Sequence, residues 1–319
     1  MGPCSAREGD DGQFACPWRP VLFEWNRAMR DISPFTLLRP QRQSAALVLT
    51  SPHSGRYYGG EFLAQARLDA QAIRRSEDSY VEELFGAAPA LGLPLLAAEF
   101  PRAWCDANRE PWELDPGMFA DELPDYVNRH SPRVAAGLGT IARIVGTGEP
   151  IYARKLSFAD AQARVRTCWQ PFHEALAGLI EETQAEFGHC LVLDCHSMPT
   201  PPGRSANRPD IVLGDGHGTS CTQAWTAYIE SLLTGYGFSV RRNDPYAGGF
   251  ITRHYGRPRE GVQVVQLEVA RGLYMHERQF ARNARFVLVQ ERLSGFLRDM
   301  ADAMRLWGAA GPGYCAAAE

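Results

Sequence analysis

From Ala45 onward the chain alternates between short, continuous apolar runs and longer segments with apolar residues at helical spacing. The runs rich in Val, Leu and Ile occupy residues 45–50, 93–98, 190–194, 210–213, 238–241 and 262–269. They are too short for helices and too uninterrupted for half-exposed strands, which predicts buried strands of a largely parallel sheet. Between them, residues 79–91 carry Val81, Leu84 and Phe85 on one helical face. Ser157 with Asp160 three positions on is an N-terminal capping signature. It opens a helical pattern that reaches about Phe187, with Pro171 either kinking it or starting a second helix. Residues 219–235 and 275–306 predict further helices. Strands alternating with helices imply an α/β fold: a single domain with one mixed, mostly parallel sheet flanked by helices on both faces. No repeat and no linker between two cores is visible. The domain is expected over residues 36–310, after a mobile leader and arm (1–35) and before a short tail (311–319). The stretch 17–44 as a whole is mixed and Pro-punctuated, and reads as a loosely packed arm.

Composition narrows the class. The 319 residues are 45% hydrophobic and 22% charged, ordinary globular values, with a formal net charge of −4. Nothing here predicts nucleic acid or an anionic membrane as a partner, although a local basic site for an acidic small molecule is compatible with the balance. No apolar run approaches the roughly 18–20 residues of a membrane span, and no secretory signal opens the chain, so a cytoplasmic location is expected. The eight cysteines form no CxxC pair and match no zinc-finger or disulfide framework. Several lie in apolar segments, which predicts reduced thiols acting as small buried hydrophobes.

Three predicted strands end in polar residues that a buried strand does not need. AALVLT runs into Ser51-Pro52-His53-Ser54-Gly55-Arg56, CLVLD into Cys195-His196-Ser197, and VQVVQL into Glu268. In α/β sheets, sites form at the carboxyl ends of strands. Two histidines and a carboxylate at such ends are what a hydrolytic metal site requires, since catalytic zinc commonly takes two His and one carboxylate and leaves a position to water. The pair His53 and His196 stands 143 positions apart, so no local spacing defines the site. A further acid at Glu77 or Asp78 could complete it, or could simply favour the following helix N-terminus. Asn108 and Arg109, in Phe100–Arg109, could clamp a substrate carboxylate or belong to an ion-pair network. Arg253, within Gly248–Gly256, is another anion contact or part of a surface hairpin. His173 reads as a structural helix histidine, and His217 as bordering a site at most. His130, His189, His254 and His276 lack strand-end context.

Taken together, SPHSGR (51–56), SEDSYVEEL (76–84), FPRAWCDANRE (100–110), LVLDCHSMP (191–199), RPDIVLGDGHGTS (208–220), GGFITRHYG (248–256) and VQLEVARGLYM (265–275) resemble the N-formylglutamate amidohydrolase family, which shares the zinc carboxypeptidase and aspartoacylase fold. The resemblance implies one Zn2+ per chain, or another divalent transition metal, held by His53, His196 and an acid, chosen here as Asp78. It implies Glu268 as general base, Asn108 and Arg109 as carboxylate ligands, and Arg253 for a second carboxylate or the oxyanion, with Arg102 the other oxyanion candidate. The sequence departs from the carboxypeptidase pattern at Arg56, where an acidic ligand three residues after the first His is usual. The implied reaction is metal-dependent hydrolysis of an N-acyl amino acid, with N-formyl-L-glutamate giving formate and glutamate, and a small dicarboxylate as the partner. Alternatives are the same chemistry on another N-acyl amino acid or small peptide, or a non-enzymatic anion-binding protein.

Overall fold

The structure is a computed structural model that describes residues 33–200 and 208–307. Seven strands form one sheet: β1 (Phe35–Leu38), β2 (Leu47–Ser51), β3 (Leu95–Ala98), β4 (Cys190–Met198), β5 (Ile211–Gly214), β6 (Val240–Arg242) and β7 (Val262–Ala270), in the order β1-β3-β2-β4-β7-β5-β6. The central strands β3, β2, β4 and β7 are parallel, β1 lies antiparallel on one edge, and the parallel pair β5–β6 runs antiparallel to β7. The α-helices are α1 (Gly60–Gln65), α2 (Val81–Leu84), α3 (Pro132–Ala135), α4 (Phe158–Arg164), α5 (Gln170–Phe187), α6 (Gln223–Gly235), α7 (Phe250–Tyr255) and α8 (Phe286–Trp307). A small hairpin pairs β8 (Met275–His276) with β9 (Ala281–Arg282).

Strand alternation gives the sheet two buried faces. One carries Leu47, Leu49, Leu191, Leu193, Val265 and Leu267, in a core shared with α2, α6 and α8. The other carries Val48, Cys190, Val192, Val262 and Val264 against α5 and α7. The expected mixed sheet with helices on both faces is therefore the observed one.

Boundaries differ in instructive places. Phe35–Leu38 belongs to the sheet, so the arm expected over 17–44 is incorporated into the fold from β1 onward. Its pattern is weak because an edge strand is only half-buried. The helix expected over 79–91 is a single turn, α2, and a separate 3-10 turn at Pro89–Leu91. The helix expected from residue 275 begins at Phe286; the residues before it form the hairpin and a turn in which Asn283 Oδ1 accepts from the Arg285 amide. The Ser157 capping box is present, with Ser157 and Asp160 exchanging both bonds. Ahead of Pro171 the helix widens into a π-turn at Val165–Trp169 and continues as α5. Most of the proposed leader, the tail, Cys4, Cys16 and Cys315 lie outside the described residues. The other five cysteines are buried free thiols.

Candidate active site

The second face of the sheet changes character along its length. On β4 the side chains of Cys190 and Val192 are core, and Asp194 and His196 follow on the same face. On β7, Val262 and Val264 give way to Gln266 and Glu268, paired in register with Asp194 and His196. All four polar residues are buried. Buried polar groups are costly unless paired, and here they are paired with one another and with the loops after β2 and β3.

His53, just beyond β2, and His196 face each other with ring centroids 4.7 Å apart. Asp78 Oδ2 stands 3.0 Å from His196 Nδ1 and 3.5 Å from His53 Nδ1. His53, Asp78 and His196 form the one group of metal-ligating type found among the described residues. Two observations test its fit. Donors around a tetrahedral ion with bonds of about 2.0–2.1 Å stand roughly 3.3 Å apart, close to these separations. His53 Nδ1, fully buried, has no hydrogen-bond partner, which is expected of a ligand atom. The residues therefore suit a divalent transition metal.

Each imidazole is backed by a carboxylate. His53 Nε2 donates to Asp106 Oδ1 at 2.6 Å, and His196 Nε2 lies 3.0 Å from Asp194 Oδ1. Such pairs orient metal-ligating histidines and raise their basicity. Asp78 is held in turn by Arg271, whose Nη2 donates to Oδ1 at 2.9 Å while Nε donates to Ser197 Oγ. Burial alone would push the Asp78 carboxyl up, but His196, His53 and Arg271 hold it well below the usual range. Asp106 is likewise kept ionised against its burial by Arg102, His53 and Arg109. For His196, burial opposes charging, yet Asp194 and Asp78 raise it well above its ordinary value. Metal binding there would displace a proton. Asp106, Asp194 and Arg271 were not singled out from the sequence. The one available signal was a charged residue inside an apolar strand, as at Asp194.

Glu77, the alternative ligand, is engaged elsewhere. Its carboxylate accepts two bonds from Arg74, one from Tyr58 Oη and one from Ser79 Oγ. Of the two adjacent acids, only Asp78 reaches the histidines. Glu268 accepts from Gln266 Nε2 at 2.8 Å and has a carboxyl raised to about 7, chiefly by burial, with His196 opposing and Asp78 adding to the rise.

The Asp106–Arg109 segment is more constrained than the sequence suggested. Asn108 Nδ2 lies within bonding distance of Asp194, His196 and Gln266, and its Oδ1 accepts from the Ile251 amide. Arg109 donates through Nε to the Leu138 carbonyl and through Nη1 to the Asn108 carbonyl. A carboxylate can meet it only end-on, through the remaining protons of Nη1 and Nη2. Arg102 donates to Asp106 Oδ2, and the negative charges of Asp78 and Glu268 act on it, so it faces the cluster. Arg253 is exposed on α7. His173 is structural, as expected: its Nε2 bonds the Ala107 carbonyl, Trp169 stacks on its ring, and burial lowers it to about 4. The π-turn aims Trp169, whose Nε1 donates to the Arg109 carbonyl. His217 is exposed in a left-handed conformation after β5. A cavity of about 530 Å³ is lined by Arg75, Glu77, Arg271 and Phe280, among others.

The chain is similar to proteins of known family and structure. The N-formylglutamate amidohydrolase family profile matches residues 45–275. An N-formylglutamate deformylase of Pseudomonas aeruginosa is 30% identical over 275 residues, covering 84% of this chain and 96% of its own length. One of Pseudomonas putida is 27% identical, covering 72% and 82%. The crystal structure of N-formylglutamate amidohydrolase from Ralstonia eutropha superposes with a TM-score of 0.80 at 35% identity, over 86% of this chain and 99% of that one. The chain belongs to the N-formylglutamate amidohydrolase family.

Proposed function

We propose that this chain hydrolyses N-formyl-L-glutamate to formate and glutamate with a divalent metal, zinc being the best match, held by His53, Asp78 and His196. The observation that carries the reading is the buried His–Asp–His group beside Glu268, in a chain whose relatives are N-formylglutamate deformylases. A metal there would polarise the formyl carbonyl and make water more acidic. Glu268 takes the proton of the attacking water and passes it to the leaving nitrogen as the C–N bond breaks. A carboxyl near 7 suits both roles at neutral pH. Arg102 faces the same cluster and stabilises the developing oxyanion. Arg109 meets the α-carboxylate end-on, its guanidinium held by the Asn108 and Leu138 carbonyls. Arg253, further out on α7, suits the second carboxylate better than the oxyanion.

The test is metal content together with formate release from a panel of N-acyl amino acids. About one transition metal per chain and a preference for N-formyl-L-glutamate are expected. Glu268→Gln should keep the metal and lose on the order of 10²–10⁴-fold in kcat. Loss of metal in that variant would make Glu268 a ligand, and near-normal turnover would place the base elsewhere.

A further inference from the structure

Two short helices grip the Asn108–Arg109 dipeptide, and each carries an arginine with nothing to bind. In α3, the Arg133 carbonyl accepts from the Leu138 amide at 2.8 Å, and the Leu138 carbonyl accepts from Arg109 Nε at 2.8 Å. In α7, the Phe250 amide donates to the Asn108 carbonyl at 3.3 Å and the Ile251 amide to Asn108 Oδ1 at 2.8 Å. Arg253 lies two residues further along this helix. Among the described residues, neither the Arg133 nor the Arg253 guanidinium has a hydrogen bond or ion pair. Arg133 is half-buried and Arg253 exposed.

The two cations act on each other. Burial is the largest influence lowering Arg133, and repulsion from Arg253 comes next, with Glu113 and Asp106 only partly offsetting it. The other arginines of the region are already engaged, Arg102 with Asp106 and Arg109 with two carbonyls. Like charges gathered beside a site, neither of them in an ion pair among the described residues, are what an incoming anion neutralises. A carboxylate offers two oxygens and can accept from both guanidiniums.

We propose that Arg133, acting with Arg253, anchors the side-chain carboxylate of the substrate and so sets the preference for N-acyl derivatives of acidic over neutral amino acids. The proposal deepens the deformylase reading and rests on it. It adds to Arg253 a residue, Arg133, that the motifs did not single out. The α-carboxylate goes to Arg109, the side-chain carboxylate to the α3–α7 pair, and the formyl group to the metal side.

The test compares N-formylglutamate with N-formylglutamine, which differ by the one charge. In Arg133→Gln the ratio of their kcat/KM values should fall by about 10–30-fold, the range of one charge-assisted hydrogen bond at a partly exposed site. The loss should appear in KM for the acid. Arg133→Lys should restore part of the preference, because charge persists while the fork is lost. A merely structural role would lower both substrates together and leave the ratio unchanged, and that result overturns the proposal. So does a ratio within twofold of the parent in Arg133→Gln. Calorimetric binding of glutarate separates this from the deformylase reading. If the parent protein releases no formate but binds glutarate, and Arg133→Gln weakens that binding about tenfold or more, the anchor stands and the deformylase reading falls. If formate is released and glutarate binding is unmoved by the substitution, the anchor falls alone.

Discussion

Neighbouring acids at positions 77 and 78 illustrate how little residue type decides by itself. Glu77 is surrounded by Arg74, Tyr58 and Ser79, whereas Asp78 sits between two imidazoles. Asp78→Asn should therefore weaken metal binding strongly, because a ligand charge is lost. Glu77→Gln should keep the metal and instead cost on the order of 2–3 kcal/mol of stability, the scale of hydrogen bonds to a buried charge. Parallel metal titration and urea unfolding check the pair, and the reverse order would move the ligand role to Glu77. Asp106 bonds His53 through Nε2, leaving Nδ1 free to face Asp78 and His196, and so fixes the ring. Asp106→Asn should lower metal affinity roughly 10–100-fold, as loss of such backing carboxylates does. Unchanged affinity would reduce it to a partner of Arg102.

Elements set the distances at which these residues meet. The α7 backbone approaches Asn108 so closely that a Cβ on Gly249 would lie 2.2 Å from its Oδ1. Gly249→Ala must push helix and segment apart. About 1–3 kcal/mol of stability is at risk, the usual cost of overpacking, and kcat/KM should fall with it because Asn108 bridges β4 and β7. Thermal unfolding and steady-state kinetics would show both losses, and a variant normal in each would mean the joint yields freely. At α2, Glu82 is buried beside Arg56, with one carboxyl oxygen unpaired. Burial is the main cause of its rise from 4.5 to about 7, with Arg56 opposing. Between those values the folded chain holds a proton that the unfolded chain has released, so this group's contribution to stability falls as pH rises through the window. Above about 7 the penalty is complete, on the order of 3 kcal/mol. Glu82→Gln removes it and leaves Arg56 its second partner, Glu83. The variant should be more stable than the parent at pH 8, with the advantage shrinking toward pH 5, and unfolding curves at the two values decide. An advantage that does not change with pH would show that Glu82 is ionised in the fold throughout.

Across the whole molecule the His53–Asp78–His196 group joins parts of the chain that share no local structure: the loop after β2, the turn before α2 and the end of β4. Ligand that binds only the folded chain stabilises it by mass action, about 4 kcal/mol at a thousand times Kd. Chelation should lower Tm by several degrees, and re-addition of zinc should restore it. A metal-free sample, verified by elemental analysis, with an unchanged Tm would argue against a site of useful affinity. No described helix is long and apolar enough to cross a membrane. The sequence by itself determined the strand runs, the long helices, the mixed sheet and the positions of His53, His196 and Glu268. Each of these is written in local periodicity or in a polar residue breaking an apolar run at a strand end. It also carried the motifs of the family. Only the tertiary structure distinguishes Asp78 from Glu77, because adjacent acids are equivalent until the chain turns one of them toward the histidines. Asp106, Asp194, Arg271 and Gln266 needed it as well, since a backing carboxylate has no spacing signature relative to a ligand far away in sequence. The same holds for Arg109, whose fork is partly closed by carbonyls of Leu138 and Asn108. Edge strand β1 and the late start of α8 escaped for a different reason: half-burial blurs a period of two, and helix-forming residues also fill a short hairpin when a turn residue such as Asn283 stops the helix from starting. Local pattern records which groups each element offers, and the register and packing of the folded chain record which of them meet.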